Sequence, residues 1–144
     1  VIYTVERITR KNNNMIGYKV VMNNNGTLRS ANFGLSDNPE HRAFTVDYIP
    51  NELTLPKLAN TKLLAFSTKE HAFAFQFEAL HEVWKAQLIS AVRIRYIADA
   101  EDFNIINAEN IKAFWHNRNK NIRMLAPKGT VACVGVILLE KIFF

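Results

Sequence analysis

The stretch "VACVGVILL" at residues 131–139 constrains this chain more than any other. It has no polar side chain, so neither face of a strand built from it can meet water. A strand of that kind belongs in the middle of a sheet covered on both sides. The run ends at Glu140 after nine residues, far short of the roughly 20 that cross a bilayer as a helix. The residues before it, "APKG" (126–129), have turn chemistry: proline presets φ, and glycine accepts a positive φ. A phosphate-gripping loop of the nucleotide-hydrolase kind needs more glycines and must open a helix. Neither condition holds, so a final strand is expected over 130–142. Lys128 is the one residue of the turn able to reach an anion.

The chain's 144 residues suit one domain, 1–144, long enough to bury roughly 70% of its unfolded surface. With 49% of residues apolar, intrinsic disorder is excluded as a class. The formal charge of +5 suggests an anionic partner. Cys133 is the only cysteine, which rules out an intrachain disulfide. Its place in the apolar run reads as buried, reduced and structural, compatible with a cytosol. No signal peptide is visible. Asparagine triplets at 12–14 and 23–25 suggest an AT-rich gene, bacterial or viral.

Along the chain, "VIYTVERIT" (1–9) reads as a first strand. "MIGYKVVM" (15–22) and "TLRSANF" (27–33) flank "NNNG", a strong hairpin signal because Asn and Gly tolerate positive φ. Residues 34–62 form a loop-rich segment with a short extended piece, "FTVDY" (44–48). "LLAF" (63–66) reads as a buried strand. Ser67 with Glu70 forms a capping box for a helix over about 68–80, which would bury Phe73, Phe77 and Leu80. "VWKAQLISAVRIRYIA" (83–98) alternates as one long strand. Trp84, Ala86 and Leu88 lie on one face, with Lys85, Gln87, Arg93 and Arg95 on the other. A second helix is expected over about 108–118, capped by Asn107, with Ile111, Phe114 and Trp115 as its stripe. The sum is an α+β single domain, a mostly antiparallel sheet of about five to seven strands with two helices.

Catalytic groups are sparse. His41, His71, His81 and His116 lack metal-ligand spacing, and His71 and His81 are expected at the surface or at an interface. There is no Gly-x-Ser-x-Gly elbow. Glu101 and Asp102 read as a solvated acidic pair. Neither a metal nor a cofactor is expected. The stronger constellation is basic and aromatic. Lys112, Trp115, His116, Arg118, Lys120, Arg123 and Lys128 fall in a stretch, 112–128, that contains no acid. Guanidinium binds phosphate in a two-point geometry and aromatic faces stack on bases. The candidate ligand-binding residues are Arg93, Arg95, Trp115, His116, Arg118 and Lys128, with Tyr18 and Arg42 beside them. The aromatic ribonucleoprotein signatures and the Gly-x-x-Gly loop are absent.

The order "GYKVV…TLRSA", "LPKL…KLLAFSTKEHAFAF", "VWKAQL", "AFW", "APKGTVACVGVILLEKI" resembles a group of small uncharacterised bacteriophage proteins. The resemblance covers about residues 15–142 and leaves out the N-terminal strand and the asparagine insert at 23–25. It implies a phage protein and transfers no catalytic residue. The unit "LLAFSTKEHAFAF" also resembles the middle of the ADP-ribosyltransferase fold, although that family's catalytic glutamate has no assigned place here.

The leading expectation is a non-enzymatic phage protein that binds a small, cyclic or otherwise nucleotide-derived signal. It would act as an anti-defence sponge in the host cytoplasm, as a homo-oligomer and away from any membrane. Three alternatives stand beside it. One is a module that blocks a host protein, with the 34–62 loop presenting Phe44, Tyr48 and Ile49 outward. The others are a nucleic-acid-binding protein and a degenerate ADP-ribosyltransferase-like domain that binds NAD.

Overall fold

A computed structural model describes residues 14–76, 78–98, 107–117 and 123–144. The strand expected over 1–9 lies outside these residues, as do Phe77, Glu101, Asp102, Arg118 and Lys120. The fold is α+β, a mostly antiparallel sheet with three helices among the described residues.

Strand β1 (Met15–Asn24) turns into β2 (Thr27–Ser30) through Asn25-Gly26, both at positive φ, as the Asn-Gly signal requires. A short helix follows, α1 (Pro39–Arg42), which the sequence reading did not anticipate. Asn38 caps it by accepting from the Glu40 amide at 2.9 Å, and Pro39 fills the first turn. Next come β3 (Asp47–Tyr48), β4 (Leu53–Thr54) and β5 (Leu63–Phe66), then α2 (Lys69–Phe75).

Helix α2 is shorter than expected, and its cap is Thr68 in place of Ser67. The Thr68 hydroxyl accepts from the His71 amide at 3.2 Å. The helix ends at Phe75 because Gln76 turns extended, and the chain must then enter the sheet. The Leu80 carbonyl accepts from the Asn23 amide at 2.9 Å, so Leu80 lies in the approach to the next strand, half-exposed, outside the core.

The single strand expected over 83–98 is three pieces: β6 (His81–Ile89), β7 (Val92–Arg93) and β8 (Tyr96–Ala98). After α3 (Ala108–Asn117) and β9 (Arg123–Leu125), the final strand is likewise two pieces, β10 (Thr130–Cys133) and β11 (Gly135–Ile142). Asn107 caps α3 as expected, its side chain accepting from the Asn110 amide at 2.8 Å.

Both interruptions have one cause. The main strand path runs β4-β11-β6-β1-β5-β10-β7. Strands β10 and β11 are thus separated by three others, yet only Val134 joins them. Strands β6 and β7 are likewise separated and joined only by Ser90 and Ala91. Links this short force the sheet to curl back on itself. Ser90 takes a positive φ to make one corner. The Val134 amide donates to the Ile89 carbonyl at 2.9 Å, tying the two corners together. Strands that change sides through sharp bends are how curled sheets make corners.

The concave face holds the larger core. Val21, Leu28, Leu63, Ala86, Leu88, Val131, Cys133 and Leu138 meet there. Each large apolar side chain of this kind contributes roughly 1.5–3 kcal/mol on burial. The convex face carries a smaller cluster of Val20, Phe66, Ala72 and Val83, which α2 covers. Cys133 is fully buried, as its apolar context predicts. His81 is also buried within the chain, where a surface or interface position is expected, and its Nε2 lies 3.2 Å from the Ala31 carbonyl. Among the described residues no helix is long and apolar enough to cross a membrane.

Candidate functional site

The site begins with a fork in the sheet. One edge of β1 pairs with β6 along Met15–Met22. The other edge is shared: β2 takes Val21 to Asn24, while β5 meets it at Tyr18, opposite Phe66. Lys19 and Val20 lie in the gap between. Side chains alternate along a strand, so Lys19 shares the concave face with Val21. It is only 7% exposed.

The Lys19 ammonium donates to the Leu64 carbonyl on β5 and lies 5.4 Å from the centre of the Tyr48 ring. Among the described residues it has no carboxylate partner. Tyr48 is also buried, and its hydroxyl has no hydrogen-bond partner among the described residues. Both line a cavity of about 190 Å³. Phe33 and Phe44 form one wall, edge to face at 5.8 Å. Phe66 and Phe75, 5.3 Å apart, contribute another. Ile111 and Trp115 of α3 line the cavity too, as does Lys62, a second amine.

Burial sets the electrostatics. It lowers the Lys19 ammonium to about 8, a shift that charge on Cys133 partly opposes. It pushes the Tyr48 hydroxyl well above the ordinary phenol range, and charge on Cys133 adds to that. The Cys133 thiol is pushed up to about 12 by burial, against the pull of Lys19 and Lys62. At neutral pH the thiol and phenol are therefore neutral, while Lys19 is mostly cationic. Buried charges are normally paired; this one has no protein counter-charge among the described residues.

The expected binding residues are dispersed. Trp115 lines the cavity. Lys128 is exposed in the turn between Pro127 and Thr130, which both line it. Gly129 in that turn has a φ of +84°, as the turn reading required. Arg93 and Arg95 are exposed outside the cavity lining. Arg95 and Arg123 lie over the Tyr96 ring, at 5.7 and 4.1 Å from its centre. His116 is exposed and donates to the Ala59 carbonyl at 3.3 Å. Arg42 is half-buried, binding Asp47 at 2.9 Å and Thr45 at 2.8 Å. Tyr18 lies on the opposite face of β1 from Lys19, against the convex cluster. Arg118 lies outside the described residues.

Tyr48 was expected to face outward from the 34–62 loop, yet it is 3% exposed. Pairing of β3 with β2 turns its ring inward. Phe44 lines the cavity, whereas Ile49 does project into solvent. Lys19, Tyr48 and Lys62 escaped the sequence reading. A signal for the first was present: in "GYKVV", position 19 shares its face with Gly17 and Val21, so a lysine there is out of pattern for a core strand.

Among the described residues no group of three or more His, Cys, Asp or Glu side chains is placed to hold a metal ion. No described residue lining the cavity is an acid, a histidine or a cysteine. No protein-family model, curated protein or solved structure matches the chain.

Proposed function

We propose that this chain is a non-catalytic binding protein for a small, planar, anionic molecule, with nucleotide-derived signals as the leading class. The observation that carries the proposal is Lys19, a buried ammonium without a carboxylate partner among the described residues, in a cavity walled by aromatic rings. A ligand anion supplies a counter-charge to Lys19, and its ring takes the aromatic wall. Binding sites of this type are mostly apolar with a few placed polar groups.

Size narrows the class. About 190 Å³ is below the roughly 300–1,000 Å³ of sites for drug-sized ligands. The cavity has room for one ring system, whereas a cyclic dinucleotide exceeds it. A mononucleotide would turn its phosphate to Lys19 and lay its base against the aromatic wall. The lack of acids and histidines among the described lining residues supports binding without turnover. In the phage setting implied by the sequence resemblance, such binding would withdraw a host signal stoichiometrically in the host cytoplasm.

The test is thermal stabilisation by mononucleotides, cyclic mononucleotides, cyclic dinucleotides, ADP-ribose, NAD, benzoate and short oligonucleotides. A ligand at a hundredfold excess over its Kd stabilises by about 2.7 kcal/mol. The expected result is a shift with a single-ring anion that disappears in Lys19→Met. No shift with any small anion, or a shift that survives Lys19→Met, contradicts the proposal.

A further inference from the structure

We infer that Lys19 is a Schiff-base lysine, whose ε-amine captures the carbonyl carbon of an aromatic aldehyde seated in the cavity. The inference rests on the cavity being a ligand site and adds covalent chemistry to it.

Three observations carry it. The amine is buried and lines a cavity, so a small molecule can reach it while bulk water is largely displaced. Among the described residues no carboxylate holds it as an ammonium. The Tyr48 ring, 5.4 Å from the ammonium, belongs to the same lining and offers an aromatic face beside the amine. Desolvation in an apolar pocket is a standard way to activate a lysine as a nucleophile. With an ammonium titrating at about 8, about a tenth of the side chain is free amine at pH 7, against roughly 0.03% for an ordinary lysine. The titratable groups around it are Tyr48 on β3, Cys133 on β10 and Lys62 ahead of β5.

The chemistry balances without a further reagent. The amine lone pair attacks the carbonyl carbon, forming a carbon–nitrogen bond. One nitrogen proton passes to the oxygen, giving a carbinolamine. The departing hydroxyl takes a proton from solvent and leaves as water. The nitrogen lone pair forms the double bond, and the resulting iminium ion returns a proton to solvent to give the neutral imine. The step is reversible and consumes no redox equivalent, so it serves capture and release. The aromatic walls favour a ring on the aldehyde.

Benzaldehyde with cyanoborohydride tests this on the full chain. Cyanoborohydride delivers hydride to the imine carbon and fixes the adduct as a secondary amine, which peptide mapping can place. At pH 7 the expected adduct sits on Lys19, at least about tenfold above any other lysine. Its formation rises with a midpoint near pH 8. Lys19→Arg keeps the charge and abolishes the adduct. The map of the unmutated chain needs no variant to fold. Labelling that follows surface exposure, or that falls on Lys62, overturns the inference. If benzoate still stabilises the protein through Lys19, a missing Lys19 adduct defeats only the covalent chemistry. If neither occurs, the cavity reading falls with it.

Discussion

The Lys19 ammonium faces the Tyr48 ring at 5.4 Å from its centre, inside a curled sheet and without a carboxylate partner among the described residues. A cation–π contact contributes roughly 0.5–2 kcal/mol. Burying a charge costs several kcal/mol. The contact therefore offsets only part of the cost, and the free site is held in an unfavourable state. Lys19→Met is expected to raise stability at pH 7 by about 1–3 kcal/mol, measured by urea denaturation. The same variant loses response to planar anions. Greater stability with lost binding marks a group kept for its ligand.

The buried groups also shape stability against pH. Lys19 is lowered to about 8 in the folded state from 10.5, so the unfolded chain holds the extra proton and stability rises between these values. Cys133 is raised from 9.0 to about 12, so its contribution is lost as pH climbs above 9. Tyr48, raised from 10.0, adds a second loss above 10. The three together give stability rising by about 1 kcal/mol from pH 8 to 9, level to 10, then falling. Lys19→Met removes the rise and keeps the fall. Urea titrations across this range check the shape.

Glu82 ties three strands together. It accepts from Asn23 at 2.8 Å and from the Trp84 indole at 3.0 Å, and it pairs with Lys141 at 3.4 Å. Burial alone would raise its carboxyl, but these partners bring it below the ordinary value. Its contribution is present above the unfolded carboxylate pKa and is lost as pH falls through the lower folded value. Glu82→Gln should cost about 1 kcal/mol near neutrality and flatten the acid side of the stability curve.

Trp115 is half-buried on α3 and lines the cavity. Trp115→Ala should weaken a ring-bearing anion by roughly two- to tenfold. Arg93→Ala should leave it unchanged, because Arg93 is exposed outside the cavity lining. Calorimetric Kd values for the two variants separate these outcomes.

Two glycines at positive φ should respond differently to alanine. Gly26, at φ +92°, has open space where a Cβ would stand. Gly26→Ala then carries only the backbone term, about 1 kcal/mol. At Gly129, at φ +84°, a Cβ would strike the His71 ring. Gly129→Ala should cost about 2–4 kcal/mol, since backbone strain and collision combine. Thermal melts of the pair test the difference.

Local chemistry made much of the fold legible. The Asn25-Gly26 turn, the Asn107 cap and the inward face of Trp84, Ala86 and Leu88 all follow from short-range patterns. The corners at Ser90 and Val134 do not, because an alternating or wholly apolar run looks the same whether its strand keeps one partner or exchanges it. The end of α2 was hidden for a similar reason: Leu80 continues a helical stripe, but the sheet claims it. For the site, basic and aromatic residues clustered in sequence drew attention to 93–128. The curled sheet instead brings Trp115 to Lys19 and Tyr48, which are remote in sequence. Lys19 was readable only as an exception within a core strand, and Tyr48 only once β3 had paired with β2.

The most direct measurement is the titration of Lys19 by NMR with carbon-13-labelled lysine, with and without saturating benzoate. A midpoint near 8 in the free protein, moving upward as the anion supplies its counter-charge, is the expected result. A midpoint in the ordinary lysine range of about 10.4, unmoved by benzoate, would contradict a buried, anion-seeking lysine as the centre of this site.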